Sequence, residues 1–446
     1  MSDYRESSSS SSVSTTSTEE NDRESFPIFQ GTVHAYAHRL LWPDADPAAI
    51  VVDSLRGGAY NRIFVATRYP NDGTEPIAHL IRIPRDDTAY LNDGNLELDK
   101  DIAVLEFVQQ WLPDIPAPRV VRYDLSHGNE FSYKHMVQTF LPGEVIANIY
   151  GDIDHKTRCQ IAIEVGNVYR QLLSAQSRIP GVPILPAGVG HLRIAPYPDA
   201  DPRAAISYPD ACSTATPTTT PLELITSLFD KRHDDAIERL QPRDPILKSI
   251  NERHFSVVTM ARDMDAAGIF KDVPYSFFHT DLFPRNLLAV VKPKPGHPVL
   301  TGVIDWDSAR FFPAFMAAKP PIWLWRWAAY ASTDSDSDPD SGSASSARYR
   351  LDDDDDSDDE AKAGDVPASE RDREIKALFE QAAGETYMRY AYGREYWIAR
   401  KLFTFAYEDR YKTFEPAVAA WEDYKAEKAL NGAVGKEKEE ETVDVE

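Results

Sequence analysis

The chain has 446 residues, 42% hydrophobic and 11% aromatic, which is an ordinary globular composition with length for one two-lobed domain or two domains. Its net charge of −24 is localised: residues 1–25 carry −4, 331–372 carry −11 and 431–446 carry −4, which leaves −5 for the rest and excludes nucleic acid as the main partner, since no basic patch dominates. Two cysteines, Cys159 and Cys212, exclude a disulfide framework and point to a reducing, cytoplasmic compartment; the most membrane-like run, PPIWLWRWAAYA, holds Arg326 and falls well short of the roughly 20 apolar residues a span needs.

In chain order, residues 1–25 are a polar, Ser-rich low-complexity tail with neither a secretory nor a transit pattern, and they read as disordered. Order is expected from Phe26. Residues 49–55, 62–68 and 77–83 read as three strands. Gly57 and Gly58 form a flexible turn between the first two, and Asn71-Asp72-Gly73 a hairpin turn between the next two. Leu98, Ile102, Leu105 and Val108 then recur at helical spacing. PDIPAPRV breaks that helix, and HMVQTFLPGE reads as a strand ending in a Pro-Gly connector. Residues 154–175 read as helix and the Pro/Thr-rich stretch 180–220 as loop. Thr220, Pro221 and Glu223 mark the start of another helix through a capping box. A further helix is expected over 246–266, then a β-hairpin in LLAVVKPKPGHPVLTGVIDWD. Residues 331–371, with LDDDDDSDDE, read as a disordered acidic insertion. The aromatic-rich run 373–412 returns as helix, and 432–446 reads as a charged tail.

The chemistry concentrates in FFHTDLFPRNLLAVV. A carboxylate, an amide five residues on, and a hairpin ending in a second carboxylate suit phosphoryl transfer, which needs an oriented hydroxyl and divalent metal on the phosphates more than covalent help. Asp281 would accept the hydroxyl proton. Asn286 would offer a neutral oxygen to one metal ion, and Asp305 a bridging carboxylate.

HTDLFPRN followed by the hairpin and VIDWD resembles the aminoglycoside phosphotransferase-like family, relatives of protein kinases that phosphorylate small molecules. The likeness covers nearly the whole ordered chain. It implies a two-lobed protein-kinase-like α+β fold: a small antiparallel β-rich nucleotide-binding lobe over 26–140 and a larger helical lobe over 141–330 and 372–431. It implies ATP or GTP as phosphoryl donor, Mg2+, and a small-molecule hydroxyl as acceptor, with no membrane, nucleic-acid or specific protein partner. By that resemblance Asp281 is the catalytic aspartate, His279 supports its loop, and Asn286 and Asp305 are the metal ligands. Gly57 and Gly58 are placed like the phosphate-covering turn, where glycine lets backbone N–H groups approach phosphate. Arg82 stands where the family carries a lysine for the α/β-phosphates, with Asp101 as its helical counter-ion and Glu97 and Glu106 as rivals. Backbone groups of Gln138, Thr139 and Phe140 look like the adenine-binding linker.

Thr280 stands where regulated protein kinases carry arginine, and no D-F-G or A-P-E segment follows. Two alternatives stay open: a kinase-shaped nucleotide-binding scaffold that is catalytically idle, to which Arg82 leans, and a true protein kinase. His34 and His38 share a helix face but lack further metal partners nearby in sequence, and read as a surface or half-buried pair. The tryptophans of WLWRW read as core.

Overall fold

The β-rich runs near the N-terminus form one antiparallel sheet. The structure, a computed structural model, describes residues 29–55, 61–84, 98–186, 191–198, 202–212, 218–239, 246–328, 360, 362–408 and 414–443. The Ser-rich tail, the Gly57–Gly58 turn, Glu97 and residues 331–359 of the acidic insertion lie outside the described residues. Two compact units divide the chain: Met1–Ile102 with Pro118–Phe140, and Ala103–Ala117 with Leu141–Glu446.

In the first unit β1 (Ile50–Leu55), β2 (Asn61–Arg68), β3 (Ile77–Pro84), β4 (Val120–Asp124) and β5 (His135–Thr139) pair in the order β1-β2-β3-β5-β4, all antiparallel. The β2–β3 turn closes as its sequence dictates: Gly73 takes φ 77° and the Thr74 N–H donates to Asp72 Oδ1 at 3.0 Å. Along β3, Ile81 and Ile83 are fully buried in a core with Val33, Tyr36, Trp42 and Phe64, so the two-residue period turns Arg82 to the opposite face. Residues 29–36 are helical and continue into a wide turn, Ala37–Leu41. His34 and His38 donate from Nε2 to the carbonyls of Pro47 (3.0 Å) and Ala45 (3.2 Å), which makes the pair a structural tie.

The helix α1 (Leu98–Trp111) buries Leu98, Ile102, Leu105 and Val108, the four residues its spacing singles out. Its last residues belong to the second unit. There the Phe107 ring lies 4.8 Å from Tyr208, 4.5 Å from Phe277 and 5.4 Å from Phe311.

Helices dominate the second unit: α2 (His155–Ser174), α3 (Pro221–Arg239), α4 (Ile246–Ala266), α5 (Glu370–Ala383), α6 (Glu385–Tyr392), α7 (Arg394–Glu408) and α8 (Phe414–Val443). The capping box at α3 forms in both directions: the Thr220 N–H donates to Glu223 Oε2 at 2.7 Å and the Glu223 N–H to Thr220 Oγ1 at 3.2 Å. The expected hairpin is β12 (Leu287–Ala289) against β13 (Leu300–Val303), with β6 (Glu144–Val145) on its other side. Among the described residues no helix is long and apolar enough to cross a membrane.

Two expectations change. Residues 180–220 are not plain loop. They hold β8 (Gly181–Ile184), β9 (Arg193–Pro196) and β10 (Ile206–Ser207) in a six-stranded sheet with β7 (Gln176–Ser177), β11 (Tyr275–Phe278) and β14 (Arg310–Pro313). These strands are too short and proline-interrupted to show alternation. Long-range pairing fixes them, and a Cβ at Gly181 would lie 2.4 Å from the Ala195 carbonyl oxygen. Second, the insertion ends earlier than expected, because Glu360 is buried and ion-paired to buried Arg400, and the backbone carbonyls of Gly364 and Asp365 each accept from Lys376 Nζ at 2.9 Å. The helix α8 runs to Val443, so most of the charged tail over 432–446 is helical.

Candidate active site

β11 buries Tyr275 and Phe277 and delivers His279 to its end. The His279 ring is 1% exposed, and burial pushes its pKa down to about 4. Its hydrogen bonds agree with a neutral imidazole: Nε2–H donates to the Ile304 carbonyl at 3.1 Å, and Nδ1 accepts from the Asp281 N–H at 3.3 Å. Trp306 lies beneath, with ring centroids 4.5 Å apart, and is itself anchored by its Nε1–H to the Val303 carbonyl at 2.8 Å.

After Asp281 a single helical turn, Pro284–Asn286, brings the amide back. The Asn286 N–H donates to the Phe283 carbonyl at 2.9 Å. Its side-chain Nδ2 donates both protons to Asp281, to the main-chain oxygen at 2.9 Å and to Oδ2 at 2.5 Å. The reverse orientation would face an amide oxygen with two acceptors, so the amide sense is fixed and Oδ1 is turned away from Asp281. Meanwhile the Ile304 N–H donates to the Asn286 carbonyl at 2.9 Å. Ile304 is therefore held through its N–H by Asn286 and through its C=O by His279, and the next residue is Asp305.

Asp305 is exposed, while Trp306 after it is 2% exposed. The reversal is possible because Asp305 takes φ 63° and Ser308 φ 70°. Thr280, between His279 and Asp281, takes φ 66°. For a β-branched residue the left-handed region is a rare outlier, worth about 1–3 kcal/mol of strain that the surrounding contacts must offset. Such positions cluster where loops are over-determined for function.

Sequence reasoning missed Arg285. Its Nε donates to Asp281 Oδ2 at 3.2 Å and its Nη2 bonds Oδ1, so the guanidinium grips the carboxylate at both oxygens. The i,i+4 opposite-charge spacing in DLFPR was the available signal. Two cations approach the Phe283 ring, Arg285 at 4.7 Å and Lys319 at 4.8 Å from its centroid. The roles of the Ile304 backbone and Trp306 had no signal in the sequence, since they depend on the strand after the hairpin reaching the loop.

In the first unit the structure brings Arg82 and Asp101 together, Nη2 to Oδ2 at 3.3 Å, both side chains largely buried. Gln138 is buried, and its Oε1 finds no hydrogen-bond partner among the described residues. The adenine-linker expectation meets an obstacle here. The Thr139 N–H already donates to the Arg119 carbonyl at 2.9 Å and the Phe140 N–H to the Ala78 carbonyl at 3.2 Å, so neither is open to a base.

A model of the phosphotransferase enzyme family (APH) matches residues 82–316. Among curated proteins, none matches the chain. Among solved structures, the chain is similar to the GDP complex of wild-type aminoglycoside 2'-phosphotransferase-IIIa, with 12% identity, a TM-score of 0.40, and coverage of 90% of this chain and 99% of that one. A choline kinase from Cryptosporidium parvum Iowa II gives 12% identity, a TM-score of 0.41 and coverage of 91% and 97%. An ethanolamine kinase from Plasmodium vivax gives 9%, 0.42, and 90% and 92%.

Proposed function

The chain belongs to the phosphotransferase enzyme family, and on that premise we propose that it transfers the γ-phosphoryl group of ATP or GTP to a hydroxyl of a small molecule with the help of Mg2+. The observation that carries this reading is the Asp281–Asn286 pair, locked into one loop by neutral His279 and followed in space by the backbone of Ile304. Asp281 accepts the proton of the attacking hydroxyl and aims its oxygen at the phosphorus. A carboxylate has about four lone-pair sites. Arg285 and Asn286 fill two at Oδ2 and Arg285 fills one at Oδ1, so the remaining direction on Oδ1 is the one offered to substrate.

The donor set suits a hard cation. The amide orientation leaves Asn286 Oδ1 for a metal, and Asp305, next in the chain after the Ile304 that bonds Asn286, would add a carboxylate; both are oxygen ligands of the kind Mg2+ takes. Mg2+, when bound, neutralises charge on the phosphates. Arg82, steadied by Asp101, grips the α/β-phosphates. Thr280 in place of arginine and the missing D-F-G and A-P-E segments support a small molecule over a peptide as acceptor.

The test is a screen of hydroxyl-bearing metabolites for release of nucleoside diphosphate, with Asp281→Asn as control. The substitution is expected to lower kcat by about 10²–10⁴ while nucleotide affinity is retained. Wild-type turnover in the variant would remove Asp281 from its role. Nucleotide binding with no acceptor phosphorylated would favour the idle scaffold.

A further inference from the structure

Away from the phosphoryl-transfer loop, the start of α2 and the first turns of α5 place three unlike ligands together. His155 and Cys159 are one turn apart on α2 and so share a face. Glu374 reaches them from α5. His155 Nε2 lies 2.8 Å from Glu374 Oε2 and 3.5 Å from Cys159 Sγ, and the three donor atoms lie within 4.8 Å of one another.

We propose that His155, Cys159 and Glu374 form a binding site for a borderline-soft divalent transition cation of the zinc class, with water in the fourth position. With Zn–N at about 2.0–2.1 Å and Zn–S at about 2.3 Å, a tetrahedral site sets N and S about 3.5 Å apart. The observed Nε2–Sγ separation of 3.5 Å meets that without movement. Nε2 and a carboxylate oxygen need about 3.4 Å by the same geometry, so Glu374 must recede by about 0.6 Å. Its side chain is 59% exposed and is held at this end by His155, so a cation replaces that one bond with two.

Imidazole, thiolate and carboxylate together select zinc-like ions over magnesium or calcium, which favour all-oxygen sets. The helices are pre-positioned: a Cβ at Gly166 of α2 would lie 2.7 Å from the Phe379 carbonyl oxygen of α5, so the backbones meet closely. An open groove of about 670 Å³ borders the cluster at His155, with Arg158 and Asp372 also in its wall, and the 59% exposure of the Glu374 side chain leaves the cluster open to solvent. On binding, the Cys159 thiol gives its proton to solvent. The clip would fasten α2 to α5, the helix that follows the acidic insertion.

Co2+ titration of the full chain carrying Cys212→Ser, where Cys159 is the one remaining thiol, decides the matter. One equivalent should bind with near-ultraviolet thiolate-to-cobalt absorption and the visible intensity of four-coordination, and Zn2+ should displace it. Cys159→Ser should abolish the near-ultraviolet band. Glu374→Gln, at an exposed position, should weaken Co2+ binding at least about tenfold with an unchanged Tm for the metal-free protein. Asp305→Ala should leave the band intact, which separates this site from the phosphoryl-transfer residues. Absence of the thiolate band, its survival in Cys159→Ser, its loss in Asp305→Ala, or undiminished affinity in Glu374→Gln would each overturn the site.

Discussion

Burial of the His279 imidazole couples the stability of the candidate site to pH. An unfolded histidine takes its proton near pH 6.5, whereas burial holds this one neutral until about pH 4. The stabilisation is therefore complete above about pH 6.5 and is lost as pH falls through 4, because the unfolded chain binds the proton first. Between pH 7 and pH 4.5 the linkage amounts to about 2 kcal/mol. Urea unfolding of wild type and His279→Gln at those two pH values should show the difference. Glutamine offers a donor and an acceptor without titrating, so the variant should lose about 2 kcal/mol less than wild type on acidification. Equal losses would mean that the imidazole is not held neutral. The same hydrogen bonds explain why the site tolerates Thr280 in a left-handed conformation: the residues on either side are fixed by His279 and Asn286.

At the scale of elements, the return of the chain from the acidic insertion depends on one buried ion pair. Arg400 of α7 donates to Glu360 Oε1 and to the carbonyls of Phe315 (3.2 Å), Tyr390 (2.6 Å) and Ala391 (2.8 Å). Burial alone would raise the Glu360 carboxyl, but the Arg400 guanidinium, with Lys401 and Lys319, brings it net below the usual value. Glu360→Ala leaves a buried guanidinium without its counter-charge, which costs about 3–5 kcal/mol. The expected fall in Tm is about 6–12 °C by thermal unfolding. An unchanged Tm would mean that residue 360 is not part of the folded unit. The sequence reading missed this packing because Glu360 sits in a run of acids, and composition cannot tell which member of a run meets a buried cation 40 residues away.

At the scale of the whole molecule, the proposed activity makes stability depend on nucleotide and metal together. Ligand at about 100 times its dissociation constant adds about 2.7 kcal/mol. Wild-type protein should show that gain as a higher Tm with Mg2+ and ATP, and lose it on chelation. Asp305→Ala should keep its own Tm but respond weakly to the same mixture. A full response in the variant would remove Asp305 from the metal. Turnover measured beside the thermal shift separates the enzyme from the idle scaffold, since both bind nucleotide and one of them consumes it.

Elements with local signals were legible in the chain before folding. These are the strands around the Asp72–Gly73 turn, the α1 stripe of Leu98, Ile102, Leu105 and Val108, the capping box at Thr220, and the spacing that sets Asp281 and Asn286 in one loop. Each rests on neighbours a few residues apart, where turn chemistry and periodicity act directly on the chain. Packing between distant segments set the rest. It turned 181–184, 193–196 and 206–207 into strands, engaged the Thr139 and Phe140 N–H groups, and buried Glu360 against Arg400. Most of these depend on partners far apart in sequence, and no local rule carries the free energy of a contact whose second half is folded in from elsewhere.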